Sequence, residues 1–160
     1  MNKNFTEKDI ILKHETNVKS AFTAISMAGV LGLIYAVRYF ITGNFDFHFS
    51  LSLPEMMLKL GHTGTVSSAA AYGVTAAFFA LYLFVTVLCL KNADRLKAAL
   101  ALYGADFGCL LFFMIWSSYK LPELFSPDLY IEVIIHIFVI LFLSVGVYSH
   151  GKLKKQKKAA

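Results

Sequence analysis

VSSAAAYGVTAAFFALYLFVTVLCL, residues 66–90, runs for 25 residues without an Asp, Glu, Lys or Arg. At about 1.5 Å of rise per residue, such a run crosses the ~30 Å hydrocarbon core of a bilayer as one helix. Three further apolar runs flank it, at residues 21–41, 98–116 and 129–148. Each of these three holds one charged residue: Arg38, Asp106 and Glu132 respectively. The chain is 58% hydrophobic and 16% charged, a balance foreign to soluble domains and to disordered chains. With 160 residues, four spans leave no room for a separate soluble domain. The expected fold is an all-α membrane protein, a four-transmembrane-helix up-down bundle.

The positive charge is placed asymmetrically. Lys3, Lys8, Lys13 and Lys19 precede the first run. Lys91, Arg95 and Lys97 lie between the second and third, and Lys152, Lys154, Lys155, Lys157 and Lys158 follow the fourth. The other two connections carry only Lys59 and Lys120. Lys and Arg in short loops stay cytoplasmic, so both termini are expected inside. The division is then a 1–20 arm, span 21–41, external loop 42–65, span 66–90, cytoplasmic loop 91–97, span 98–116, external loop 117–128, span 129–148 and a basic tail 149–160. The tail is read as a stop signal attracting anionic headgroups, not as a nucleic-acid site. The bacterial inner membrane is the expected location. Cys89 and Cys109 fall at different depths, too far apart for a disulfide, and are read as buried apolar residues.

The first external connection is long. Residues 45–53 alternate apolar and polar, with Phe45, Phe47 and Phe49 on one side and His48 on the other, the period of an extended strand. Ser52-Leu53-Pro54-Glu55 then reads as a capping box opening a short helix that ends near Gly61. This loop is the expected partner-binding element. Small residues recur at four-residue spacing at Ala28, Gly32 and Ala36, at Ala69, Gly73 and Ala77, and at Gly104 and Gly108, a literal GxxxG. Such faces bring helices close, either inside the bundle or against another membrane subunit.

Ionisable groups at membrane depth are expensive and face an interior or a partner. Spacing places them in two layers. The inner layer is Asp106, at the depth of Tyr82 and Ser144, read as a proton or cation site or as a hydrogen-bonded clamp. The outer layer is Arg38 with Glu132 and His136, and with His62 nearby. Arg38 and Glu132 are suited to an ion pair. His62 and His136 together are read alternatively as haem b ligands or, with Glu132, as metal ligands. No cofactor is otherwise expected. No nucleophile-base arrangement and no phosphate loop is present, so an enzyme is not favoured.

The leading expectation is a non-catalytic subunit, assembly factor or partner-binding protein of a membrane complex, including the immunity type. It would act through helix packing and the first external loop, beside a membrane protein partner or a second copy of itself. The alternative is an oligomeric ion- or proton-coupled transporter or channel using Asp106.

Overall fold

The computed structural model describes residues 7–42, 51–122, 125 and 129–159. They form helices α1 (Glu7–Thr42), α2 (Ser52–His62), α3 (Ser68–Lys91), α4 (Leu96–Lys120) and α5 (Leu129–Ala159), with a single 3₁₀ turn, Ala93–Arg95, between α3 and α4. Helices α1, α3, α4 and α5 are long and apolar enough to cross a membrane, and the chain is an integral membrane protein. Their outer surfaces carry large apolar side chains such as Val30, Leu83, Phe84, Phe112, Ile115 and Phe138. In water these would be a liability; against lipid tails they are the required solvent contact.

Local chemistry sets the connections. Ser67 caps α3, its hydroxyl accepting from the Ala70 amide at 3.3 Å, and the Asn92 side chain accepts from the Asp94 amide at 2.9 Å to start the tight link into α4. Between α2 and α3 the chain reverses through Gly64 at φ +72°, a backbone angle that L side chains resist.

The start of α1, the α3–α4 link and the end of α5 share one face of the bundle, here the near face. Buried Ser149 takes a hydrogen bond from Asn17 at 3.0 Å and meets His14 at 3.2 Å. On the same face Asp94 receives Lys154 at 2.9 Å and His150 at 3.0 Å. The most extensive contact in the bundle is between α1 and α5. They approach closely because a side chain at Gly146 would collide with Ala21. The core, around Ala21, Ile25, Leu96, Ala99, Tyr103 and Leu143, fills the near-face half.

Helix α2 decides the rest of the architecture. Leu51, just before it, packs into the space a side chain on Gly32 would occupy. Gly32 lies ten residues, or ~15 Å, before the end of α1, so the chain is back at mid-bundle depth when α2 begins. From there α2 runs antiparallel to the first half of α3. The Thr75 hydroxyl donates to the Pro54 carbonyl at 3.4 Å, and Gly61 abuts Ala71. It is a half-span helix inside the bundle, burying Ser52, Glu55, Leu58 and Lys59.

The structure therefore departs from the expected loop. No strand occurs among the described residues. Phe45, Phe47, His48 and Phe49 lie outside the described residues, and Ser52 and Leu53 are already helical. The short helix is present, but Ser52 is its first helical residue and Leu51 stands at the cap, with no side-chain cap bond, so the expected capping box does not form.

Candidate functional site: a buried carboxylate-histidine network

The residue preceding α2, Leu51, has no side-chain oxygen to cap it. The cap comes from another helix. The Ser52 amide donates to Asp106 Oδ2 at 3.0 Å and the Leu53 amide to Asp106 Oδ1 at 2.9 Å. Pro54 follows and has no amide to satisfy. One carboxylate from the middle of α4 thus serves the opening donors of α2, at the end where the helix dipole is positive.

His136 completes the pair. Its ring is fully buried, lies nearly parallel to Phe107 at 5.8 Å between centroids, and meets Tyr103 at 5.3 Å. Nδ1 sits 2.8 Å from the Glu132 carbonyl one turn back. A carbonyl only accepts, so Nδ1 carries a proton and donates. Nε2 then faces Asp106 Oδ2 at 3.0 Å and Ser52 Oγ at 3.2 Å. A bare ring nitrogen against a carboxylate lone pair would repel, so a proton lies in the Nε2–Oδ2 contact. Whether written as imidazolium and carboxylate or as imidazole and carboxylic acid, the pair is electrically neutral. From α3 the buried Tyr82 hydroxyl faces the same carboxylate.

Next to this pair lies a second cluster. Glu132, 1% exposed, meets the Glu55 side chain of α2, and Glu55 pairs with Lys59 one turn along. The Glu132 Oε1 atom is buried without a hydrogen-bond partner.

Two expected layers are thus one network, because Asp106 and His136 touch. Ser144 does not join it and is exposed on α5. Arg38 is half-buried near the end of α1, beside Leu33, Val37 and Ile41. A cation near Glu132 is Lys59 of α2. His62 and His136 do not form a ligand pair. His62 is exposed at the last residue of α2, ten residues and ~15 Å along the helix from Ser52, which His136 touches. Both ring nitrogens of His136 already face protein atoms.

Of the small-residue faces, Ala28 and Gly32 are buried, Gly32 beneath Leu51, with Ala36 further along α1. Ala69, Gly73 and Ala77 on α3 and Gly104 and Gly108 on α4 are exposed. Among the described residues, a side chain at Gly73, Gly104 or Gly108 would meet nothing within 4 Å, so these faces are not packed by the described helices. Sequence reasoning missed Ser52, Glu55 and Lys59 as site residues. The available signal was the four-residue spacing of Glu55 and Lys59, an ion pair along one helix face.

Comparison with protein families, with curated proteins and with solved structures gives no match.

Proposed function

We propose that this protein is a proton-coupled membrane transporter or channel whose working site is the Asp106–His136 pair beneath α2. The observation that carries this reading is the 3.0 Å contact of His136 Nε2 with Asp106 Oδ2, in which the chemistry of the two groups calls for a proton. Moving it from Nε2 to Oδ2, atoms 3.0 Å apart, breaks one N–H bond and makes one O–H bond without changing the net charge of the pair. That is the electrostatic requirement of a relay in an apolar interior, where isolated charge is prohibitive. The Ser52 hydroxyl, in reach of the same nitrogen, both accepts and donates and supplies a second step. In ion-coupled transporters a half-helix N-terminus in mid-membrane commonly faces an anionic substrate group; here it faces the carboxylate of Asp106.

In this reading the near face, with its Lys and Arg, is cytoplasmic, and the far face, where α2 ends, is external. A bacterial inner membrane suits the same charge placement.

The test is proton flux in vesicles holding the purified protein, driven by a potassium diffusion potential and read by an internal pH dye. The expected result is flux above that of empty vesicles, falling to the empty-vesicle rate in Asp106→Asn. Flux unchanged by that substitution, or no flux from the unaltered protein, rejects the reading.

One observation supports a second reading, that of a non-catalytic subunit, assembly factor or immunity-type binding protein. The outward faces at Gly73, Gly104 and Gly108 are shaped for close approach of a partner helix or a second copy. Such a protein gives no proton flux of its own, so the same measurement separates the two.

A further inference from the structure

We propose that Glu55, Glu132 and Lys59 form a second proton-binding site, which loads the Asp106–His136 pair from the far face; this rests on the proton-transport reading above. Two carboxyl groups in contact in apolar surroundings do not both ionise, so the Glu55–Glu132 pair holds a proton between its oxygens. Together with the Lys59 ammonium on Glu55 Oε1, the three side chains sum to zero charge. Glu132 Oε1 is the one buried oxygen of that carboxyl left without a partner. It is an acceptor held in reserve in a place where unsatisfied polar atoms are costly.

The two sites are joined. The Glu132 carbonyl is the acceptor for His136 Nδ1, so a change at Glu132 acts on the ring that holds the Asp106 proton. The groups facing Glu132 are Glu55 and Lys59 from α2, Asp106 from α4 and His136 on its own helix. Tyr82 of α3 faces Asp106 behind them, and the charged residue of α1 in this half is Arg38. Toward the far face, Lys59 is followed by Gly61 and His62. These line a cavity of about 180 Å³ with Leu58, Ser68, Ala71 and Tyr72. That is well above the ~30 Å³ one water molecule occupies in the liquid. Toward the near face Asp106 is backed by Tyr82, Tyr103, Ala99, Leu96 and Leu143, none more than 2% exposed. In the proposed route protons enter and leave past Lys59, from the cavity beyond it along α2.

The test uses dicyclohexylcarbodiimide on the unaltered protein in vesicles. This apolar reagent takes up the O–H of a protonated buried carboxyl, joins the carboxyl oxygen to its central carbon, and rearranges to a stable N-acylurea. Peptide mass mapping is expected to find the adduct on Glu132 or Glu55. Labelling should slow as pH rises, persist in Asp106→Asn, and vanish in Glu55→Gln/Glu132→Gln. In vesicles of uniform orientation the labelling rate should follow the pH at the far face. An adduct on Asp106 alone, no adduct on either glutamate, or a rate following near-face pH overturns the proposal. Because labelling is scored without flux, the two ideas separate. An adduct on Glu132 or Glu55 in a protein without flux keeps this site and sinks transport. Flux without such an adduct does the reverse.

Discussion

Asp106→Ala is expected to destabilise the folded protein by about 3–5 kcal/mol, the usual result of removing one member of a buried charged pair. Three groups lose the carboxylate at once: the Ser52 and Leu53 amides are left without their acceptor, and His136 Nε2 keeps only Ser52 Oγ at 3.2 Å. In water each would find solvent; beneath Leu51 and between Phe107 and Tyr103 none does. Since a domain's whole stability is typically ~5–15 kcal/mol, this single change approaches the limit of what the fold tolerates. Asp106→Asn keeps the shape and one carbonyl acceptor, so its cost should be about half as large. Reversible unfolding in mixed micelles measures both. Combining Asp106→Ala with His136→Leu should cost less than the two changes summed, because the second removes a ring the first has already deprived of its carboxylate. Strict additivity would show that the pair is not a unit.

Lys59→Met carries the second large effect, again about 3–5 kcal/mol, since it leaves Glu55 and Glu132 facing one another with no cation. The compensating change is Glu55→Gln. With both in place the cluster holds a neutral amide, a neutral thioether and one carboxyl, and replacing a buried ion pair by neutral groups of similar volume is often close to neutral in stability. The double variant is therefore expected within about 1 kcal/mol of the unaltered protein in the same unfolding assay. A double variant as unstable as Lys59→Met would mean that Lys59 serves some group other than Glu55.

The spans were legible because run length against bilayer thickness is a strong signal, and 66–90 leaves no alternative to a helix. A short helix after residue 51 was legible from Ser52, Pro54 and Glu55. Its depth was not. Hydrophobic periodicity marks a face of α2 without saying whether that face meets lipid headgroups or the bundle interior, so Lys59 read as a loop charge. The separation of Asp106 from His136 had a similar origin. Counting ~13 Å inward from one boundary and ~10 Å from the other leaves ~7 Å of a ~30 Å core between them. Two inward-pointing side chains close that gap. The glycine spacing likewise names a face but not its direction. The Gly32 face turned inward because Leu51 needed the space, whereas the Gly104–Gly108 face turned outward because Tyr103, Asp106 and Leu110 occupy the inner side of α4.

The proposed relay requires a proton between His136 and Asp106. Nitrogen-15 NMR of the ring of His136, selectively labelled and held in lipid nanodiscs at neutral pH, tests it directly. The account predicts a proton on Nδ1 and a second, strongly deshielded proton in the contact at Nε2, the latter lost or displaced in Asp106→Asn. An Nε2 with no proton in that contact, accepting only from the Ser52 hydroxyl and indifferent to Asp106→Asn, would contradict it.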